Sequence, residues 1–139
     1  MKKDVLVTVI GSSDLDPDEP LEVVTPGEYR EQDGAKCFIY EESELTGFPR
    51  GVKTTLRIDG HMLTMMRNGG DGTNMVFESG RTHLGHYETP YGSFTVSTTT
   101  DKLDIEMSET ECSIKVKYFV DVNNIPQSAN ELSVHVREI

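Results

Sequence analysis

Apolar and polar residues alternate with a period of two along most of the chain, and helical periodicity is nearly absent. In the clearest segment Val52, Thr54, Leu56 and Ile58 alternate with more polar residues. Successive side chains of a strand point to opposite faces, so this pattern predicts a strand with one buried face. The predicted strands are 5–10, 21–30, 36–42, 52–58, 62–67, 73–78, 82–89, 93–99, 103–107, 112–120 and 132–139.

Glycine and its usual turn partners separate these segments. Asp33-Gly34 and Asp59-Gly60 predict tight hairpin turns. Pro26-Gly27 interrupts the second strand and predicts a bulge or bend, because proline cannot donate to a ladder. The segment 121–131, which contains Pro126, is predicted to be a loop. Tight turns join antiparallel neighbours, and the chain shows no crossover helices that would allow a parallel sheet.

A meander of about eight to eleven strands must close or fold over, because open sheet edges invite aggregation. We therefore expect an all-β fold, a single antiparallel up-and-down β-barrel, in preference to a two-sheet sandwich. The 139 residues fit one domain, 1–139, that can bury a core without metals or disulfides.

The formal net charge of −11 narrows the function classes. An acidic surface repels phosphate backbones and anionic lipids, so neither nucleic acid nor a membrane is expected as a partner. The apolar run 5–10 is too short for a signal-peptide core, and no stretch reaches transmembrane length. Cys37 and Cys112 lie in separate strands without a CxxC pair. We expect them to be reduced, part-buried thiols of a cytoplasmic protein, with a disulfide or a reactive thiol as the alternative.

The acidic segment partly resembles a calcium-binding EF-hand loop but lacks residues that such a loop requires. Asp14, Asp16 and Asp18 have the spacing of an EF-hand start, but Glu19 stands where that loop needs glycine. Thr25 occupies the position of the bidentate carboxylate. A solvated acidic loop is the expected structure.

The histidines do not form a predicted metal site. His83 and His86 are three apart, and residues three apart in a strand point to opposite faces. His86 and Glu88 share a face, but two ligands are too few for a metal ion. His61 and His135 are expected to face solvent. We therefore expect no metal and no other cofactor.

Signatures of catalysis are also missing. The chain has no GxSxG elbow, and no Lys-Ser/Thr pair follows Gly69, Gly70 and Gly72. Glu41 and Glu42 lie on opposite strand faces and cannot act together on one substrate. No catalytic residue is assigned, and an enzyme is the least favoured class.

Several short segments in a fixed order carry a family resemblance. They are Tyr40-Glu41-Glu42-Ser43, Arg67-Asn68-Gly69, residues 85–92 (GHYETPYG) and Val116-Lys117-Tyr118. In order and spacing the chain resembles the YwiB-like family of uncharacterised bacterial β-barrel proteins, a domain of unknown function, over nearly its whole length. The acidic segment 11–19 matches least. The resemblance implies a calycin-type, lipocalin-like barrel in the cytosol of a Gram-positive bacterium, and it implies no reaction.

Arg67 is the first candidate for a binding residue, because it ends an apolar strand beside a glycine-rich turn. The parity of that strand is ambiguous, since Met62 and Met66 lie on one face and Leu63 and Met65 share the other with Arg67. An inward arginine needs a carboxylate or an anionic ligand, because a buried charge must be paired.

Five further residues complete the predicted site. Glu42 and Glu88 are the candidate partners of Arg67, and Tyr40, Tyr87 and Tyr118 are candidate amphipathic walls. The alternatives for Arg67 are an internal ion pair that fixes the barrel mouth, or an exposed side chain.

Beside an enzyme, the least favoured class, two functions remain open from the sequence. The first is a non-catalytic barrel that binds a small, partly apolar or anionic ligand in its interior. The alternative is a structural or protein-interaction barrel with a filled core, which could be a homo-oligomer.

Overall fold

The computed structural model describes residues 2–14, 18, 20–42, 52–68, 74–89 and 92–139, without the side chains of residues 2, 68 and 86–89. It contains ten strands within these ranges. They are β1 (Lys2–Ser13), β2 (Leu21–Gln32), β3 (Ala35–Glu41), β4 (Lys53–Asp59), β5 (Met62–Asn68), β6 (Asn74–Phe77), β7 (Thr82–Thr89), β8 (Gly92–Met107), β9 (Glu111–Val122) and β10 (Ile125–Glu138). The same ranges hold no helix long and apolar enough to cross a bilayer.

The strands form one sheet in the order β6-β5-β4-β3-β2-β1-β10-β9-β8-β7, and every ladder is antiparallel. The first and last strands pair with each other, so the meander curls into a nearly closed barrel. The seam lies between β6 and β7, which contact each other without a ladder among the described residues. The predicted all-β, up-and-down barrel is confirmed.

Alternate residues of most strands fill the interior. Thr54, Leu56 and Ile58 of β4 are buried, as the alternation predicts. In β5 the inward row is the one with Leu63 and Met65, both buried, which settles the ambiguous parity of that strand. The largest fully buried side chains include Phe77, Leu56, Leu63, Ile114, Val7 and Val134. These residues fill the middle of the barrel and separate its two ends.

The predicted gap between the strands 93–99 and 103–107 is wrong. Residues 93–99 and 103–107 belong to a single strand, β8. The register of β8 against β9 shifts between Thr100 and Lys102, which is a β-bulge at Asp101. An inserted residue disrupts the alternation locally and bends the strand without ending it.

The predicted loop 121–131 is also wrong. Strand β9 continues to Val122 and β10 begins at Ile125, so the connection is only Asn123-Asn124. Their φ angles of 50° and 67° are those of a two-residue hairpin turn, and asparagine tolerates this left-handed backbone well. Pro126 is accommodated inside β10 because the ladder with β9 is irregular between Pro126 and Ser128.

Pro26-Gly27 does not form the predicted bulge. The β1–β2 register runs through both residues without a shift. Pro26 lies just outside the β2–β3 ladder, which stops where Gly27 opposes Tyr40, so its missing N–H costs no bond to β3. Glycine is required next to it, because a Cβ there would lie 2.8 Å from the Ile39 carbonyl oxygen.

The hairpin between β4 and β5 turns one residue later than predicted. Asp59 pairs with Met62, so the turn residues are Gly60 and His61. Gly60 has a φ of 60°, the position at which a type II′ hairpin needs glycine. The Asp33-Gly34 turn is confirmed, as is the exposure of His61. Cys37 and Cys112 are free, and both are buried more deeply than the predicted part-burial, with exposures of 1% and 2%.

Candidate functional site

Three neighbouring strands bring polar side chains together at one end of the barrel. In register, Thr54 of β4 lies opposite Tyr40 of β3 on one side and opposite Arg67 of β5 on the other. Glu42 directly follows β3, and its backbone N–H donates to the Val52 carbonyl oxygen at 2.8 Å. We call Tyr40, Glu42, Thr54 and Arg67 the polar cluster.

Glu42 is the centre of this cluster. Its Oε1 accepts a hydrogen bond from the Thr54 hydroxyl and lies 3.5 Å from Arg67 Nε. The Glu42 side chain is only 5% exposed, and that of Arg67 is 23% exposed. A buried carboxylate is tolerated when it is paired and hydrogen-bonded, and both conditions are met here. The arrangement contains the internal ion pair that the sequence left open as an alternative.

The tyrosines near the cluster hold their protons firmly. Burial raises the pKa of Tyr40, and the adjacent Glu42 carboxylate raises it further, while Arg67 partly opposes both effects. Burial also raises the pKa of Tyr118, again against the opposing charge of Arg67. The Tyr118 ring packs edge-on against Phe77 with centroids 4.8 Å apart. Both phenols are therefore neutral hydrogen-bonding groups.

A cavity of about 200 Å³ adjoins the polar cluster. One side is apolar and the other carries Tyr40, Glu42 and Arg67. We call it the Arg67 cavity; its apolar lining is Val9, Leu21, Val23, Met65 and Leu132. An apolar cavity of about 150 Å³ can hold a benzene molecule, so this space is large enough for a small ligand.

The structure thus brings together Tyr40, Glu42 and Arg67 of the six predicted site residues, with Tyr118 in electrostatic reach of Arg67. The backbone of Tyr87 lies opposite Phe94 and that of Glu88 opposite Ser93. The side chains of Tyr87 and Glu88 fall outside the described part of the chain, and their roles stay predictions.

Thr54 was missed as a site residue. The signal was present, since Thr54 is the polar member of the otherwise apolar inward row of β4. A hydroxyl at a fully buried position needs a partner, so it marks the place where another polar group must lie.

The described residues contain no group of three or more His, Cys, Asp or Glu side chains placed to hold a metal ion. His83 Nε2 lies 3.1 Å from Glu78 Oε1. Asp14 ties the end of β1 to β10, because its Oδ1 accepts the Ala129 N–H and its own N–H donates to the Ala129 carbonyl oxygen, each at 2.9 Å. Asp16 and the His86 side chain lie outside the described ranges.

Comparison with known proteins agrees with the barrel. The crystal structure of the YwiB protein from Bacillus subtilis is similar to this chain, with a TM-score of 0.82 and 19% sequence identity. The similarity covers 99% of this chain and 93% of that one. No curated protein matches the chain significantly. The family profile described as "Domain of unknown function (DUF1934)" matches residues 7–134. The chain therefore belongs to the DUF1934 family.

Proposed function

We propose that this protein is a non-catalytic barrel that binds a small, partly apolar molecule in the Arg67 cavity. The observation that carries the proposal is a cavity with an apolar wall on one side and a shielded ion pair on the other. Ligand sites combine a mainly apolar lining with a few convergent polar groups, and this space has that composition.

The apolar wall would supply most of the binding free energy. Val9, Val23, Met65 and Leu132 come from four strands and face one space. Apolar surface removed from water contributes about 25 cal/mol per Å². Burial of even a ligand of benzene size therefore gives a favourable binding free energy. Met65 can adapt its shape to the ligand because its side chain is flexible.

The polar cluster favours an uncharged head group over an anionic one. Arg67 and Glu42 already neutralise each other, so a ligand carboxylate would leave one negative charge uncompensated. The net charge of −11 also repels anions. An amide or hydroxyl group can donate to Glu42 and accept from Arg67, and it keeps both charges paired.

The chemistry of the cluster favours binding over catalysis. The polar cluster contains no histidine or cysteine, and the tyrosine pKa values nearby are raised by burial. A general acid or base works best when its pKa lies near the working pH, which a raised phenol pKa prevents. These groups would orient a ligand.

The test compares two probes with the same alkyl chain, pentanamide and pentanoate, by isothermal titration calorimetry. We expect the amide to bind more tightly. Arg67→Met should weaken its binding about ten- to a hundredfold, since a hydrogen bond to a charged group is worth about 1.5–3 kcal/mol. Arg57→Met is the matched control, because Arg57 pairs with Asp59 away from the cavity. Tighter binding of pentanoate, or equal effects of the two substitutions, would overturn the proposal.

A second variant tests the cavity itself. Val23→Phe places a ring in the Arg67 cavity, and we expect it to abolish amide binding while the far-UV circular dichroism stays that of the parent. Retained binding in this variant would place the ligand elsewhere.

We further infer a lipocalin-like mode of binding and a bacterial cytoplasmic setting. The up-and-down strand order supports the first, because lipocalin barrels share it. Two free, buried cysteines support the second, since thiols persist in reducing compartments. The alternative of a homo-oligomer stays a prediction; the exposed hydrophobics Val24, Leu84 and Ile125 lie on separate strands.

A further inference from the structure

The opposite end of the barrel carries a second, larger cavity of about 520 Å³. We call it the far mouth. Its floor is made of buried apolar side chains, Val5, Phe38, Cys112 and Val136, from four strands. The connection 108–110 between β8 and β9 borders one side. The Thr110 carbonyl oxygen accepts the Glu138 N–H at 2.8 Å, which fixes this connection to the end of β10.

Charged side chains surround the opening, with an excess of carboxylates. The lining has four glutamates, Glu31, Glu109, Glu111 and Glu138, and two lysines. Lys3 Nζ lies 3.6 Å from Glu138 Oε2. Lys36 lies opposite Glu31 in the β2–β3 register. Glu109 and Glu111 border the side of the β8–β9 connection, and Glu111 Oε2 lies 3.9 Å from His135 Nε2.

Two aromatic rings form one wall of the far mouth. The centroids of Tyr29 and Phe38 are 5.3 Å apart with planes tilted by 43°. The Tyr29 hydroxyl donates to Glu31 Oε1 at 2.8 Å, which fixes the ring and the carboxylate relative to each other. An aromatic face beside a carboxylate is the combination that attracts organic cations.

We propose that the far mouth binds an organic cation with an apolar body, such as an aryl- or alkylammonium compound. The apolar body lies on the floor formed by Val5 and Val136, and the cationic group lies beside Tyr29 and Glu31. An anion of the same shape meets the carboxylate excess of the opening and the net charge of the whole chain. The proposal is independent of the Arg67 cavity, because the packed core separates the two.

The first experiment locates binding through Cys112, which lies in the floor of the far mouth. A Cys37→Ala variant leaves Cys112 as the single thiol, since the chain has two cysteines. Its alkylation by iodoacetamide is measured at one fixed alkaline pH, because burial raises the pKa of this thiol to about 11 and only the thiolate reacts. Benzyltrimethylammonium, benzyl alcohol or phenylacetate is present in each reaction. We expect the cation to slow the reaction most and phenylacetate least. No protection by the cation, or stronger protection by phenylacetate, would overturn the proposal.

The second experiment uses the sign of a charge change. Lys36→Met removes a positive charge from the far mouth and keeps the apolar stem, so we expect benzyltrimethylammonium to bind about two- to fivefold more tightly, as for an exposed charge pair. Glu31→Gln should weaken binding by a similar factor, because the cationic group lies beside this carboxylate. The matched controls are Lys53→Met and Glu131→Gln, which change the net charge equally on exposed outer positions. Weaker binding in Lys36→Met would show that an anion is preferred and overturn the assignment.

The third measurement separates the two proposals. Arg67→Met should leave protection of Cys112 by benzyltrimethylammonium unchanged, and Lys36→Met should leave pentanamide binding unchanged. A loss of Cys112 protection in Arg67→Met would overturn the independence of the far mouth from the Arg67 cavity.

Discussion

The two ends of the barrel solve the same problem in different ways. Rows of inward side chains must change from apolar to polar where the interior meets water. At the Arg67 end, the polar groups turn to each other, and Glu42 is shielded by Thr54 and Arg67 beside a small cavity. At the far mouth the charges stand around a wide opening, and the Lys3–Glu138 pair is 31% and 37% exposed.

This difference shows that the contribution of an ion pair to the free energy of unfolding depends on its surroundings. Water screens an exposed pair, so forming or breaking it changes the free energy of unfolding little. A shielded pair adds little to the free energy of unfolding when it is intact. Removing one partner destabilises the protein strongly, because the other charge is left uncompensated. The Arg67 end should therefore be sensitive to single substitutions, and the far mouth should tolerate them.

The largest expected effect comes from Glu42→Leu. The substitution leaves the Arg67 guanidinium and the Thr54 hydroxyl without the carboxylate that joins them, and we expect a loss of about 3 kcal/mol in the free energy of unfolding. Glu138→Gln breaks the exposed pair of the far mouth and should cost at most about 1 kcal/mol. Urea unfolding measures both. Similar losses in the two variants would contradict the contrast between the ends.

Removing one hydroxyl group at each end of the barrel tests the same contrast with smaller expected losses in the free energy of unfolding. Thr54→Val keeps the shape of a fully buried side chain but removes the donor to Glu42, so we expect a loss of about 1–2 kcal/mol. Tyr29→Phe removes the donor to Glu31, whose bond is exposed, and water can replace it. We expect the second loss to be much the smaller by the same urea measurement. A larger loss for Tyr29→Phe would show that the far mouth is the more tightly built end.

The sequence predicts the barrel itself but does not predict how its two ends differ. Alternation and turn residues predicted the antiparallel barrel, because side-chain parity and hairpin geometry are local properties. The local signals gave wrong predictions where one residue type is compatible with two structures. Asp101 interrupts the pattern as a turn would but forms a bulge, and Asn123-Asn124 is a turn inside what resembled a loop.

The pairing of Arg67 with Glu42 depends on register, not on local pattern. The two residues are 25 positions apart. They meet across β4, where Thr54 lies opposite Arg67 and the preceding Val52 accepts the Glu42 N–H. Sequence reasoning could name Arg67 and Glu42 as a candidate pair from the need to neutralise a buried charge. It could not choose the parity of β5, since both faces of that strand are apolar, and it did not identify the far mouth, whose members come from distant segments.

Alkaline pH should lower the stability of the protein through ionisation of Cys112 in the floor of the far mouth. Burial raises the pKa of this thiol from 9.0 to about 11, against a small opposing effect of Lys36. A folded-state pKa above the unfolded value means that the contribution to stability is complete below pH 9.0 and is lost as the pH rises towards about 11. We expect the stability difference between the parent and Cys112→Val to be constant below that window and to shift in favour of the variant within it. Urea unfolding across this pH range measures the difference, and one that stays constant throughout would contradict the prediction.

The smallest expected effect concerns the β9–β10 turn. Asn124 has a φ of 67°, and glycine adopts this backbone with less strain than any other residue. Asn-Gly is the preferred pair in a type I′ hairpin, so Asn124→Gly should stabilise the protein by a few tenths of a kcal/mol after the added flexibility of the unfolded chain is counted. Thermal unfolding measures the change, with Gln127→Gly as the control for glycine in an exposed strand that lacks this φ requirement. Because the turn connects strands without contributing to either cavity, Asn124→Gly should leave pentanamide and benzyltrimethylammonium binding as they are, and a change in either would mean that the mouths depend on the turns that join their strands.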